Sequence, residues 1–158
     1  MENAAAHKRA ADRSKRDSTA GGKVELTQDD YRKLAEFRYA LRKFLAFSES
    51  AAADVGMTTQ QYQALLALKG FSEAGALSMK NLADRLLLRH HSVVELVDRL
   101  VKLDLVTRLP DPDDGRRVLI ALTKLGESQL RTLAAAHLRE LPAIGSTLSI
   151  LLDELRSE

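Results

Sequence analysis

No cysteine occurs anywhere in the 158 residues, which excludes disulfide bonds, thiolate metal sites and any thiol-based redox switch. No apolar run approaches the roughly 18 residues that a membrane-spanning helix needs. The polar N-terminal stretch also lacks the apolar core of a secretory signal. The expectation is a cytoplasmic protein with no membrane partner. Signatures of catalysis are missing too: there is no Gly-rich phosphate loop, no G-x-S-x-G elbow and no zinc-hydrolase histidine pair. The chain is therefore not expected to be an enzyme, and no cofactor is expected.

A strong charge of one sign is also lacking. The formal net charge of +2 is unevenly divided: residues 1–23 carry six basic side chains against three acidic, and the remaining 135 carry 18 against 19. A nearly neutral body can hold DNA only through a local patch, not through its overall field. Residues 1–23 have no apolar periodicity and end in Gly21-Gly22, so they read as a disordered basic tail. That tail is either a solvated end or an arm touching the DNA backbone.

What is present is concentrated between Ser78 and Gly126. Ser78 caps a short helix around Leu82-Ala83-Asp84-Arg85-Leu86. A turn at Leu87-Leu88 leads into a second helix from Arg89 to Lys102. There Val93, Leu96, Val97 and Leu100 follow the i, i+3, i+4, i+7 spacing of one buried face. The opposite face carries His91, Glu95, Asp98 and Lys102, and the first turn adds Arg89, His90 and Ser92. A helix-turn-helix presents such a face to the major groove and reads bases with its first turns.

Val106–Leu109 and Arg117–Leu122 then flank a charged loop, Pro110-Asp111-Pro112-Asp113-Asp114-Gly115-Arg116. This is a two-stranded ribbon with a charged tip, a wing. An arginine on a narrow ribbon suits the minor groove. Asp114, two residues before Arg116, can hold the guanidinium in a bidentate pair.

Helical spacing predicts the flanking elements. Thr27 reads as the N-cap of a helix to about Ala53, with Asp29 and Asp30 in its first turn. Its stripe is Tyr31, Leu34, Arg38, Leu41, Leu45 and Ser48, widened by Phe37, Phe44 and Phe47. Thr58-Thr59-Gln60-Gln61 is a capping box for a second helix ending near Gly70, with Tyr62, Leu65 and Leu66 inward. Phe71–Leu77 reads as a loop. Thr123 caps a helix with the stripe Leu130, Leu133, Ala134, His137, Leu138 and Leu141. Pro142 is expected to break it, and a last helix to bury Ile144, Leu148, Leu151, Leu152 and Leu155. These terminal helices have more apolar surface than a winged motif can cover, so a homodimer interface is expected.

At Asp114, Arg116, Leu122-Thr123 and Gly126, and at Leu96-Val97-Asp98-Arg99-Leu100, the chain resembles the MarR family of winged helix-turn-helix transcriptional regulators. The first group falls at that family's D-x-R…LT…G spacing. The resemblance covers roughly Thr27 to the C-terminus. Asp104 stands where the family usually has Gly, and Asp tolerates the left-handed backbone that such a turn needs. Glu95 and His90-His91 replace the usual Arg, Ser or Thr, which bears on the DNA sequence read rather than on the fold. Some members sense peroxides through a cysteine, a route closed here.

The resemblance implies a mainly α protein with a small β-hairpin wing and a helical dimerisation region from the N- and C-terminal helices. The implied divisions are 1–23 tail, 24–56 N-terminal dimerisation helix, 57–123 DNA-binding domain and 124–158 C-terminal dimerisation helices. It also implies a repressor that binds double-stranded DNA as a homodimer on a near-palindromic operator. A small aromatic ligand would enter between winged lobe and dimer helices, with Tyr39, Phe44, Phe47 and Tyr62 placed to meet it.

The expected DNA contacts are Arg89, His90, His91, Ser92, Glu95 and Lys80, with Arg116 and Arg117 on the wing and Asp114 supporting. Glu95 either accepts from a cytosine amino group or is solvated. Lys80 and Arg85 position phosphates or pair with Asp84. His90 and His91 point about 100° apart on a helix, so no metal site is expected. His137 is expected to be a hydrogen-bonded interface histidine. The alternative of a different class is a winged-helix module that docks a protein instead of DNA.

Overall fold

The computed structural model describes residues 26–72 and 75–156, excluding the side chains of 154–156. The tail 1–23, Leu155 and the roles expected of them lie outside the described residues. Among the described residues, five helices and three strands follow in order: α1 Gln28–Asp54, α2 Thr59–Phe71, β1 Ala76–Ser78, α3 Met79–Leu86, α4 His90–Lys102, β2 Val106–Pro110, β3 Val118–Leu122 and α5 Lys124–Arg156. The chain divides at Ala35 into two compact units. In the first, Thr27 caps α1: its hydroxyl accepts from the Asp30 N–H at 3.2 Å and Asp30 Oδ2 accepts from the Thr27 N–H at 2.7 Å.

The second unit, from Glu36 onward, contains the winged helix-turn-helix. The predicted capping box forms: Thr58 Oγ1 accepts from Gln61 N–H at 3.2 Å, and Gln61 Oε1 accepts from Thr58 N–H at 2.8 Å. On α2 the inward residues are Tyr62, Ala64, Leu65 and Leu68, whereas Leu66 is 44% exposed. Leu66 therefore belongs to the outer face, a correction of one helical step. Val93, Leu96, Val97 and Leu100 of α4 are buried as their spacing predicts, in one cluster with Leu65, Leu82, Leu105, Ile120, Leu130 and Leu133.

Three features differ from the sequence reading. The sheet has three antiparallel strands in the order β1-β3-β2. Ala76 pairs with Ala121 and Ser78 with Leu119 on one side of β3, and Val106 pairs with Leu122 on the other. The added strand lies in the stretch read as a loop, and three residues are too few to show alternation. The second difference is α5, which runs unbroken through Pro142. Proline removes one helix hydrogen bond and crowds the preceding turn. Pro142 and Leu138 sit on an exposed flank, where water can satisfy the carbonyl that loses its partner. Third, Leu45 of α1 and Leu138 and Leu141 of α5 are exposed, while Ser48, Ala52, Leu133 and His137 are buried. The stripes predicted for these helices are thus only half used within the chain.

Candidate nucleic-acid interface

The helix-turn-helix is fixed by its caps. Ser78 Oγ accepts from the Asn81 N–H at 3.1 Å and starts α3. The helix ends in a Schellman arrangement: Leu88 N–H donates to the Ala83 carbonyl at 3.1 Å, and Leu87, with φ of 53°, donates to Asp84 at 3.4 Å. The end of α4 repeats it. Leu105 N–H donates to Leu100 at 3.0 Å and Asp104 N–H to Val101 at 3.0 Å, with Asp104 at φ 55°. Asp104 thus takes the left-handed conformation expected of it.

Between these caps α4 exposes Arg89, the N-cap, and His90, His91 and Glu95, with Ser92 half-buried. Asp98 lies on the same helix but is engaged: Arg108 Nη2 of β2 donates to Asp98 Oδ1 at 2.5 Å. The pair ties α4 to the base of the wing. Sequence reading placed Asp98 on the outer face without a partner. The available signal was an arginine in the middle of the next strand, ten residues after Asp98.

The wing tip is organised around Asp114. Its Oδ1 accepts from the Arg116 backbone N–H at 3.1 Å and from Arg116 Nε at 3.2 Å, while Oδ2 lies 3.5 Å from Arg117 Nε. The expected bidentate guanidinium pair is therefore replaced by a grip on backbone and Nε together, shared with Arg117. Asp114 closes a turn and aims a side chain with the same carboxylate. Arg116 is left 93% exposed, its guanidinium pointing outward from a fixed base.

The Arg116 backbone N–H first, and then its side chain, hold the Asp114 carboxyl below the usual carboxylate range. A carboxyl lowered by folding contributes fully above its unfolded value, and the contribution is lost as pH falls through the lowered folded value. In an NMR titration, the Arg116 amide should keep its position until below the usual carboxylate range. A midpoint at or above that range would mean that the grip is not formed in solution.

Lys80 is exposed near the start of α3. It lines, with Asn81, Asp111 and Arg117, a groove of about 560 Å³ between α3 and the base of the wing. Two predicted phosphate contacts are thereby brought to one place. Arg85 instead lays its guanidinium over the Phe71 ring, 4.0 Å from the centroid.

The four aromatic residues expected to meet a ligand divide. Phe44, Phe47 and Tyr62 converge on buried His137, with ring centroids at 5.9, 5.3 and 4.5 Å, Tyr62 stacked and the phenylalanines edge-on. His137 Nδ1 lies 2.8 Å from the Leu133 carbonyl and Nε2 2.9 Å from Ser48 Oγ. A carbonyl only accepts, so Nδ1 carries the proton; in the neutral ring Nε2 accepts from the serine hydroxyl. Burial pushes the Tyr62 hydroxyl pKa up. Tyr39 is exposed and lies elsewhere. With Phe47, Lys43, Ile144, Thr147 and Leu151 it lines a groove of about 590 Å³ between α1 and α5.

A model of the MarR family matches residues 55–117, which spans α2 to the wing tip. The transcriptional activatory protein BadR of Rhodopseudomonas palustris is 29% identical over 123 residues, covering 78% of this chain and 69% of that protein. Among solved structures, AbsC, a MarR family transcriptional regulator from Streptomyces coelicolor, superposes with a TM-score of 0.67. It is 20% identical, over 85% of this chain and 99% of that one. A mutant of S. aureus MepR bound to an oligodeoxyribonucleotide gives 0.60 at 23% identity, over 84% and 92%. At such identities the two structures speak for the fold.

Proposed function

Because the chain belongs to the MarR family of winged-helix transcriptional regulators, we propose that it binds a near-palindromic operator as a homodimer, under the control of a small ligand. The observation that carries the DNA reading is the wing tip, where Asp114 holds the Arg116 backbone N–H and Nε and leaves the rest of an exposed guanidinium to meet DNA. An arginine already aimed loses less freedom on entering a minor groove than a mobile one. Arg89, His90, His91 and Ser92 would read the major groove from the first turn of α4, with Lys80 and Arg117 on phosphates. In a two-fold dimer the two α4 helices would lie about 34–36 Å apart.

Helices α1 and α5 would form the dimerisation region. Leu45, Leu138, Leu141, Ile150 and Leu152, exposed on these helices, support that reading. The groove beside Tyr39 and Phe47 is of a size that takes small ligands. An aromatic ligand bearing a carboxylate or phenolate would find Lys43 there, whose Nζ sits 5.9 Å from the Tyr39 ring centroid. The family resemblance favours a repressor. The relative named as an activatory protein favours activation. Transcription from a template carrying the operator, with and without protein, distinguishes a fall from a rise.

Binding to duplex DNA at two salt concentrations tests the main reading, since affinity resting on phosphate contacts falls steeply as salt rises. Arg116→Ala should weaken binding to every operator with a narrow flanking minor groove and change preference among central base pairs little. Asp114→Ala should act as a weaker copy of it. His91→Ala or Ser92→Ala should instead relax half-site selectivity by about 1–3 kcal/mol. Arg116→Ala binding as tightly as wild type would remove the wing contact. It would strengthen the protein-docking alternative, which the nearly neutral body and Glu95 support.

A further inference from the structure

Leu87 is the outlier of the interface. Three helices of the second unit end in the same Schellman arrangement, and each needs a left-handed residue after its last turn. After α1 that residue is Gly56, at φ 73°, with Gly56 N–H donating to Ala53 and Met57 N–H to Ala52, both at 2.9 Å. After α4 it is Asp104, and after α3 it is Leu87, at φ 53° and ψ 38°. Glycine takes this conformation without penalty and aspartate tolerates it, whereas leucine brings its Cβ against the following carbonyl.

Packing within the chain does not repay that strain, because Leu87 is 93% exposed. Its neighbours Leu86 and Leu88 are the ones packed on the core. The left-handed turn itself serves the chain, since it closes α3 and lets Leu86 and Leu88 pack. Glycine would serve it at least as well, so the leucine side chain gains only from what it meets outside the described residues.

Its position indicates where the gain lies. Leu87 stands two residues before Arg89, the N-cap of α4, and two residues span at most about 7 Å. Resting on the DNA reading above, we propose that Leu87 is a specificity residue whose side chain packs against the 5-methyl group of a thymine at the edge of each half-site. That methyl is the apolar feature a base presents in the major groove, and an isobutyl group held clear of the protein body is shaped for it.

The test uses the full-length protein and a duplex that the wild type selects from a random-sequence pool. Leu87→Gly and Leu87→Asn both suit a left-handed backbone, so each should raise Tm, by about 2–4 °C for glycine. Both should nevertheless bind the duplex more weakly, by roughly fifteenfold for two half-sites, since burying one methyl is worth about fourfold at each. Leu87→Met keeps an apolar group and should retain most of the affinity. Replacing one thymine per half-site by deoxyuridine should weaken the wild type by a similar factor and leave Leu87→Gly unaffected.

Glycine and asparagine variants that bind as tightly as wild type would overturn the inference while leaving the DNA reading intact. So would a loss that no deoxyuridine substitution reproduces, which would place Leu87 on deoxyribose instead. A wild type that selects no duplex and shows no salt-dependent binding would overturn both.

Discussion

Gly126→Ala is expected to destabilise the protein by about 3 kcal/mol or more, the upper part of the range for an overpacked core. A Cβ at this position would lie 2.0 Å from the Leu105 carbonyl oxygen and 3.0 Å from its carbon. Both are backbone atoms, so no rotamer change relieves the clash. The carbonyl cannot withdraw, because it accepts the Thr123 N–H at 3.1 Å. Leu105 N–H is itself committed to closing α4.

Thr123 completes the junction. Its hydroxyl donates to the Asp104 carbonyl at 2.5 Å and accepts from the Gly126 N–H at 3.0 Å. Glycine at 126 is thus required by a close approach of two backbones, one ending α4 and one beginning α5. Urea denaturation of Gly126→Ala beside wild type measures the loss. A change below about 1 kcal/mol would mean that the two backbones lie further apart in solution.

The second large effect is expected at His137. Truncation to alanine removes a buried ring from contact with Phe44, Phe47 and Tyr62 and leaves the Ser48 hydroxyl without its partner. Large-to-small changes at buried aromatic positions cost about 3 kcal/mol or more. Ser48→Ala alone should cost about 1–2 kcal/mol, because it orphans Nε2 in an apolar pocket. Once the ring is gone, however, removing the hydroxyl as well should cost nothing further and recover part of the loss. The double variant should therefore be no less stable than His137→Ala, and a coupling of about 1 kcal/mol should appear in the cycle. Strictly additive costs would show that the Ser48–His137 hydrogen bond contributes nothing to folding.

These two positions illustrate what was legible in the chain. Gly126 and Thr123 were visible as part of a family pattern, and the cap of Thr123 was readable from residue type. The reason for the glycine was not, because it is set by Leu105, a residue 21 positions away. His137 was visible as a polar interruption of an apolar stripe. Its partner Ser48 lies 89 residues away, and no helical period relates them.

Local signals fared best: the capping box at Thr58, the cap at Ser78, the buried face of α4 and the left-handed Asp104 all follow from short-range sterics and spacing. The errors arose where tertiary context outweighs such signals. Leu66 and Leu45 sit on helical stripes that the chain covers on one side only, and Pro142 lies within a helix whose flank faces water. At the wing, the pairing of Asp114 with Arg116 was readable, but its geometry depended on a turn that also engages Arg117. Leu87 was read only as part of a turn, because the sequence does not reveal which residue of Leu86-Leu87-Leu88 is left-handed.

The unbroken course of α5 has a mechanical consequence. A helix of 33 residues is about 50 Å long, and its first turn is bolted to the end of α4 through Thr123 and Gly126. It therefore works as a lever whose fulcrum is that junction. A tilt of roughly 5° there displaces the far end by about 4 Å over such a length. Conversely, a displacement of a few ångströms imposed at the C-terminal end of a helix that stays straight reaches α4 as a small rotation.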